Sequence, residues 1–148
     1  MGRPAKMEPA AVVALFLPDA SIVRLDPLTQ GNINDTWRVE LAGGRRLILQ
    51  RLHSEVFTDP GMVMANVRTV TDHLNEVRHS DLSFFRLVRN PQGRDYCFDS
   101  AGRCWRLLTH IDNSRTFTRV RTPLQAGTIG SLLGRFHLLT VDLDPQTL

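Results

Sequence analysis

The sequence predicts an α+β fold in which an antiparallel sheet of five to six strands carries one packed helix. Apolar and polar side chains alternate strictly over residues 36–41, which is typical of a half-buried strand. Gly43-Gly44 then provides a tight hairpin into the next strand. Apolar residues at helical spacing follow over residues 63–77. Antiparallel hairpins with one intervening helix are typical of α+β proteins rather than of doubly wound parallel sheets.

The individual elements follow from local periodicity and turn chemistry. A short apolar helix is predicted over residues 8–17, where Pro18 ends it. Strands are predicted over residues 21–28, 36–41, 46–52, 84–88, 96–98 and 104–111. Asp59-Pro60 begins an amphipathic helix, and Thr122-Pro123 begins a second long one. The apolar stripes of these two helices are Val63, Val67, Val70, Leu74 and Val77, and Ile129, Leu133 and Phe136.

Size and charge exclude several classes of protein. The chain has 148 residues, 42% of them hydrophobic and 22% charged, which suits one globular domain with a substantial core. The longest wholly apolar run, residues 10–17, is far shorter than the roughly 18 residues of a membrane-spanning helix. The net charge is +3, and 17 of the 18 cations are scattered arginines, Lys6 being the only lysine. Without a clustered basic stripe we expect no nucleic-acid partner and no membrane partner. A basic nucleic-acid binder therefore ranks only third among the possible functions of this chain.

The two cysteines, Cys97 and Cys104, do not have the spacing of a zinc site. The N-terminus lacks the pattern of a secretory signal peptide. We therefore expect two reduced thiols that pack on neighbouring strands, a cytoplasmic protein, and no metal ligand in this chain.

The segment between the first two strands carries the first candidate site. Gly31, Asn32, Ile33, Asn34 and Asp35 form a turn sequence, since glycine and asparagine accept positive φ at low cost. Successive backbone amides in such a turn can cradle phosphate oxygens. An ordinary hairpin turn, with Asp35 capping it, is the alternative interpretation.

Several motifs occur together in one order and spacing. They are GNINDTW at 31–37, ILQRLH at 48–53, VF followed by DP at 56–60, VMANV at 63–67 and VTDHL at 70–74. WRLLTHID at 105–112 and LGRFHLL at 133–139 continue the series. In these motifs the chain resembles the phosphotransferase enzyme family, the aminoglycoside-phosphotransferase-like kinases with a protein-kinase-like fold. It is most similar to the N-acetylhexosamine 1-kinase branch, over roughly residues 11–141.

The resemblance implies ATP-dependent phosphotransfer to a small-molecule hydroxyl, with an amino sugar as acceptor. It also implies a kinase-like N-lobe over residues 21–111, preceded by an N-terminal extension with a short helix over 1–20. Residues 112–148 would be the hinge exit and first helix of an incomplete C-lobe. Gly31 to Asp35 would cover the phosphates, and Thr109, His110 and Ile111 would be the hinge that faces adenine. Homoserine, a choline-like alcohol or an aminoglycoside stays open as the acceptor, and so does the oligomeric state.

No catalytic residue is assigned, because in such a family the catalytic loop and the ligands of Mg²⁺ follow the helix predicted near 123–140. We therefore expect a truncated kinase of which this chain is the nucleotide-binding portion. The alternative is a non-catalytic remnant that binds a nucleotide or a partner.

The third strand departs from the kinase pattern. A kinase places a lysine there that pairs with a glutamate on the following helix, and this chain has no lysine beyond Lys6. If Ile48 covers adenine, Gln50 takes the lysine position, and Asn66 stands on the helix. A neutral Gln50–Asn66 pair is our hypothesis for the substitute. Its alternative is two polar residues at the sheet edge.

Two tripeptides mimic the His-x-Asp of a kinase catalytic loop, which is followed by asparagine five residues after the aspartate. His79-Ser80-Asp81 is followed at that position by Arg86, and His110-Ile111-Asp112 by Phe117. We interpret them as a helix end with its connection and as the hinge.

Overall fold

The computed structural model describes residues 7–29, 33–77 and 82–148. Within them the chain is α+β, as predicted, with three α-helices and one six-stranded antiparallel sheet. The elements are α1 (Pro9–Phe16), β1 (Ile22–Leu28), β2 (Asp35–Leu41), β3 (Arg46–Arg51), α2 (Pro60–Glu76), β4 (Leu87–Val88), β5 (Tyr96–Phe98), β6 (Cys104–Thr109) and α3 (Pro123–Leu139), followed by a 3-10 turn at Pro145–Thr147.

The strands are arranged in the order β1-β2-β3-β6-β4, and β5 also pairs with β6. The predicted tight hairpin joins β2 to β3, where Gly43 and Gly44 adopt φ of +86° and +83°. Strand β6 is central, since β3 pairs with one of its edges and the short strands β4 and β5 share the other. Cys97 on β5 and Cys104 on β6 lie on neighbouring strands as free thiols, which confirms that prediction.

One face of the sheet is closed by α1. Val12, Val13 and Phe16 are buried there against core side chains of β2, β3 and β6, with Leu49 and Trp105 among them. The prediction of one packed helix was therefore wrong, because α1 is part of the main core. Its sequence is apolar on nearly every side, so it has no polar face whose period could indicate what it covers.

Helix α2 packs on the opposite face. Asp59 caps its first turn, where the carboxylate accepts a hydrogen bond of 2.9 Å from the backbone N–H of Met62. Met64 is buried with Leu52 and Cys104. The helix buries Met64, Thr71 and Leu74, whereas the valines of the predicted stripe are only half-buried. The buried face is thus rotated from the valine stripe.

A buried carboxylate organises the turn between β5 and β6. Asp99 accepts hydrogen bonds from Trp105 Nε1 at 2.8 Å, Arg103 Nε at 2.7 Å and the backbone N–H groups of Ala101 and Arg103 at 2.9 and 3.0 Å. Burial acts to raise the pKa of Asp99, but these hydrogen bonds outweigh it and hold the pKa below its ordinary value. The turn is therefore built around an ionised aspartate.

Two strands in the C-terminal half are shorter than predicted. Strand β6 ends at Thr109 rather than at residue 111, because the chain leaves the sheet before the turn at 112–113. Strand β4 covers only Leu87–Val88, whereas residues 84–88 were predicted, because Phe84 and Phe85 line an apolar groove beside α2 and are in no strand. Helix α3 forms as predicted but buries no residue, and the side chains of Leu124 and Leu138 are 80% and 73% exposed. Among the described residues no helix is long and apolar enough to cross a membrane.

Candidate functional site

A row of polar side chains crosses the face of the sheet opposite α1. Thr36 on β2 lies directly across from Gln50 on β3, and Gln50 lies across from Arg106 on β6. Residues directly opposite in neighbouring strands share a face and are close enough to interact. The pairing register therefore brings together three side chains that are up to 70 residues apart in sequence.

These side chains form one hydrogen-bonded chain. Gln50 Nε2 donates to Thr36 Oγ1 at 3.3 Å, and Arg106 Nε donates to Gln50 Oε1 at 2.9 Å. Arg106 Nη1 lies 3.8 Å from Met64 Sδ of α2. The orientation of the Gln50 amide is fixed by this arrangement, since a guanidinium only donates and must face the amide oxygen.

The row ends at a cavity of about 480 Å³. This volume falls within the roughly 300–1,000 Å³ typical of small-molecule sites. The walls come from the end of β1, from β2 and from the segment that follows β6. The lining residues are Pro27, Leu28, Thr29, Thr36, Arg38, His110, Ser114 and Thr116.

The predicted phosphate-covering turn is described in part. Gly31 and Asn32 lie outside the described residues. Ile33 is half exposed, and the Asn34 side chain accepts a hydrogen bond of 3.1 Å from the backbone N–H of His53. Asp35 is ion-paired with Arg51. Asn34 and Asp35 thus tie the start of β2 to the end of β3, a structural role beside the cavity.

The predicted hinge leads directly out of β6. The backbone N–H of Thr109 donates to the Arg86 carbonyl at 3.0 Å, and that of His110 donates to the Arg46 carbonyl at 3.2 Å. The Ile111 carbonyl accepts from Ser114 Oγ at 2.7 Å. In the described part of the chain, the backbone N–H of Ile111 makes no hydrogen bond with another residue.

The HID tripeptide at 110–112 directly follows β6. Asp112 is 2.7 Å from Arg46 and 3.1 Å from His110 Nδ1, so its carboxylate holds the segment after β6 against the start of β3. Asn113 follows with φ of +59°, a left-handed conformation that asparagine tolerates. The HSD tripeptide at 79–81 lies outside the described residues.

The hypothesis of a Gln50–Asn66 pair was wrong. Both polar groups of the Gln50 amide are engaged by Thr36 and Arg106, and no hydrogen bond joins Gln50 to Asn66 in the described ranges. Asn66 instead lines the apolar groove between α2 and Phe136 of α3. Ile48 does share the sheet face with Gln50 and lies opposite Arg38 and Leu108.

Three residues of this face were not among the candidates from the sequence. Thr36 and Arg38 line the cavity, and Arg106 meets Gln50 from the neighbouring strand. Alternation in β2 places Thr36 and Arg38 on one face, and that signal was available. The Arg106–Gln50 contact depends on pairing across 56 residues, and no local pattern indicates it.

The arginines of this face differ in how they are neutralised. Arg38 is 3.2 Å from the Asp26 carboxylate, and Arg24 is 2.7 Å from it. Hydrogen bonds from Arg24 and Arg38 lower the pKa of Asp26, so it is ionised at neutral pH. Arg46 forms an ion pair with Asp112, whereas Arg106 has no carboxylate partner among the described residues.

The described residues do not fit a metal ion, since no group of three His, Cys, Asp or Glu side chains is placed to hold one. Compared with the models of known protein families, the chain matches none.

Proposed function

We propose that this chain is the nucleotide-binding part of an ATP-dependent small-molecule kinase whose acceptor is an amino sugar of the N-acetylhexosamine type. The observation that carries the proposal is the cavity beside the turn at 33–35, between the end of β1 and the hinge. The motifs GNINDTW and WRLLTHID, which carry the kinase resemblance, both contribute to its walls, through Thr36 and His110.

Residues on the sheet face that carries Thr36, and the segment that follows β6, offer groups that suit the parts of a nucleotide. Ile48 supplies an apolar surface on the same sheet face, and the unbonded N–H of Ile111 supplies a donor for an adenine nitrogen. Polar groups lie on the same sheet face, nearer the turn at 33–35, and suit the phosphates. They are the hydroxyl of Thr36, the amide of Gln50 and the guanidinium of Arg106. In the proposed reaction the γ-phosphoryl group of ATP is transferred to the anomeric hydroxyl of the sugar, which gives ADP, the sugar 1-phosphate and a released proton.

Nucleotide binding is tested by thermal unfolding with ATP, ADP, adenosine and phosphate. ATP at a hundred times its dissociation constant should stabilise the fold by about 2.7 kcal/mol, which raises Tm by roughly 5–10 °C for a chain of this size. No shift with either ATP or ADP at millimolar concentration would overturn the proposal.

A matched pair of variants locates the site. Thr116 lines the cavity and is exposed, and Thr118 is also exposed but does not line it. Thr116→Trp should fill the cavity and weaken ATP binding at least tenfold, about 1.4 kcal/mol, whereas Thr118→Trp should bind as the wild type does. Equal affinities in the two variants would place the nucleotide elsewhere.

A second candidate, a non-catalytic domain that binds a nucleotide and a partner, is favoured by the exposed apolar side chains of α3. Monomers rarely expose such a surface without an interaction to cover it. Phosphotransfer to N-acetylhexosamines by the native protein from its own cells separates the candidates, because only the kinase turns over.

A further inference from the structure

We propose that Arg106 binds the polyphosphate of the nucleotide and so takes the place of the lysine that a kinase carries on its third strand. The inference rests on the function proposed above and deepens it, because it assigns the ligand class of the site as a nucleoside di- or triphosphate rather than a nucleoside. Three observations carry it.

The first observation is the charge of the side chain in its surroundings. Arg106 is half-buried and contacts the Gln50 amide and the Met64 thioether, neither of which carries a charge. Tyr96 lies opposite Arg106 on β5, and the nearby Cys104 thiol is neutral at pH 7 because burial raises its pKa to about 11. A guanidinium stays protonated even where burial disfavours its charge, and it is less strongly hydrated than an ammonium. A desolvated charge without a counter-charge is unfavourable, so this position favours an incoming anion.

The second observation is that donors remain on the guanidinium. Nε and Nη1 are directed at Gln50 and Met64, and Nη2 makes no hydrogen bond in the described part of the chain. No polar side-chain atom of the described residues is both sealed from solvent and without a partner, so Nη2 reaches accessible space. Arginine is well suited to phosphate because its planar fork can donate two parallel hydrogen bonds.

The third observation is position. Thr36 lines the cavity, Gln50 contacts Thr36, and Arg106 contacts Gln50, so three bonded side chains lead from the cavity wall to the cation. Two strand spacings of about 4.8 Å separate Arg106 from Thr36. The other arginines described on this face are already paired with Asp26 or Asp112; they are Arg24, Arg38 and Arg46.

The test compares ATP with adenosine in three variants of the full chain. Arg106→Met keeps an unbranched side chain and removes the charge, Arg106→Lys keeps the charge, and Arg45→Gln removes one exposed charge in the β2–β3 turn as a control. Affinities are measured by calorimetry at fixed salt, and Tm without ligand is recorded for each variant.

We expect Arg106→Met to weaken ATP binding roughly ten- to a hundredfold, the effect of one charge-assisted hydrogen bond, and to leave adenosine binding unchanged. Its Tm should equal or exceed that of the wild type, because an uncompensated charge is removed. Arg106→Lys should retain most of the ATP affinity, and Arg45→Gln should retain all of it.

Two results would overturn the assignment alone. One is wild-type ATP binding with an unchanged ATP-to-adenosine ratio in Arg106→Met. The other is a lowered Tm in that variant with both affinities reduced equally, which is the result for a purely structural arginine. If the wild-type chain binds no nucleotide, the proposed function fails and the assignment fails with it.

Discussion

Replacement of Asp99 by asparagine should destabilise the fold by about 3 kcal/mol. Both carboxylate oxygens accept hydrogen bonds, one from two backbone N–H groups and the other from Trp105 and Arg103. In either orientation the asparagine amide therefore sets an NH₂ group against two donors. In the favoured orientation the backbone bonds survive, and the indole and guanidinium lose their acceptor.

The magnitude follows from the burial of the two donors. Trp105 is 1% exposed, so its N–H is left without an acceptor, which costs about 1–3 kcal/mol. The Arg103 side chain is 21% exposed and is partly rehydrated, so its loss adds only about 1 kcal/mol. For a chain of this length, about 3 kcal/mol lowers Tm by roughly 6–12 °C.

The assay is urea unfolding followed by tryptophan fluorescence, with Asp144→Asn as the matched control. Asp144 is an exposed cap whose carboxylate accepts from the backbone N–H of Gln146, and asparagine caps equally well. The control should stay within about 0.5 kcal/mol of the wild type.

A double-mutant cycle isolates the indole bond. In a Trp105→Phe background the donor is absent, so Asp99→Asn should cost about 1–2 kcal/mol less than in the wild type. If Asp99→Asn matched Asp144→Asn, or if the cycle showed no coupling, the buried acceptor would not stabilise the turn and the reasoning would be refuted.

Three further predictions follow. Because the pKa of Asp99 in the folded chain lies below its ordinary 3.8, the stabilisation by Asp99 is complete above pH 3.8 and is lost as the pH falls through the lower folded value. The free energy of unfolding, measured against pH in acid, should therefore fall less steeply in Asp99→Asn than in the wild type, and parallel curves would contradict this. Gly44→Ala should destabilise by about 1–2 kcal/mol, because φ is +83° there, whereas Gly127→Ala inside α3, with open space at the added Cβ, should stabilise by about 0.5–1 kcal/mol; two thermal melts decide the signs. Burial raises the pKa of Cys97 and Cys104 to about 11, so iodoacetamide at pH 7 should label the native thiols far more slowly than the urea-unfolded ones, and equal rates would show that both thiols are accessible.

The strands near the N-terminus could be predicted because their signals are local. Alternation in 36–41 and the Gly43-Gly44 turn define β2 and the hairpin that follows, and β3 differs from its prediction only by lacking Leu52. The caps Asp59 and Thr122 are confirmed for the same reason, since a cap acts within three residues.

The site could be predicted only where its residues are contiguous. His110 was a candidate and lines the cavity, whereas the partner of Gln50 depends on which strand lies beside β3. The sequence pattern favoured Asn66, sixteen residues after Gln50, as that partner. Pairing of β3 with β6 brought Arg106 there instead, and register between distant strands has no local signature.

Mutations on the two faces of β3 should have different consequences, and odd-numbered and even-numbered residues lie on different faces. Leu47 and Leu49 point into the core under α1, whereas Ile48 and Gln50 lie on the polar face. When residues along this strand are substituted one at a time, large effects on unfolding and large effects on nucleotide binding should therefore each recur at every second residue. Substitutions at Leu47 and Leu49 should change the free energy of unfolding, whereas substitutions at Ile48 and Gln50 should change the affinity for the proposed nucleotide.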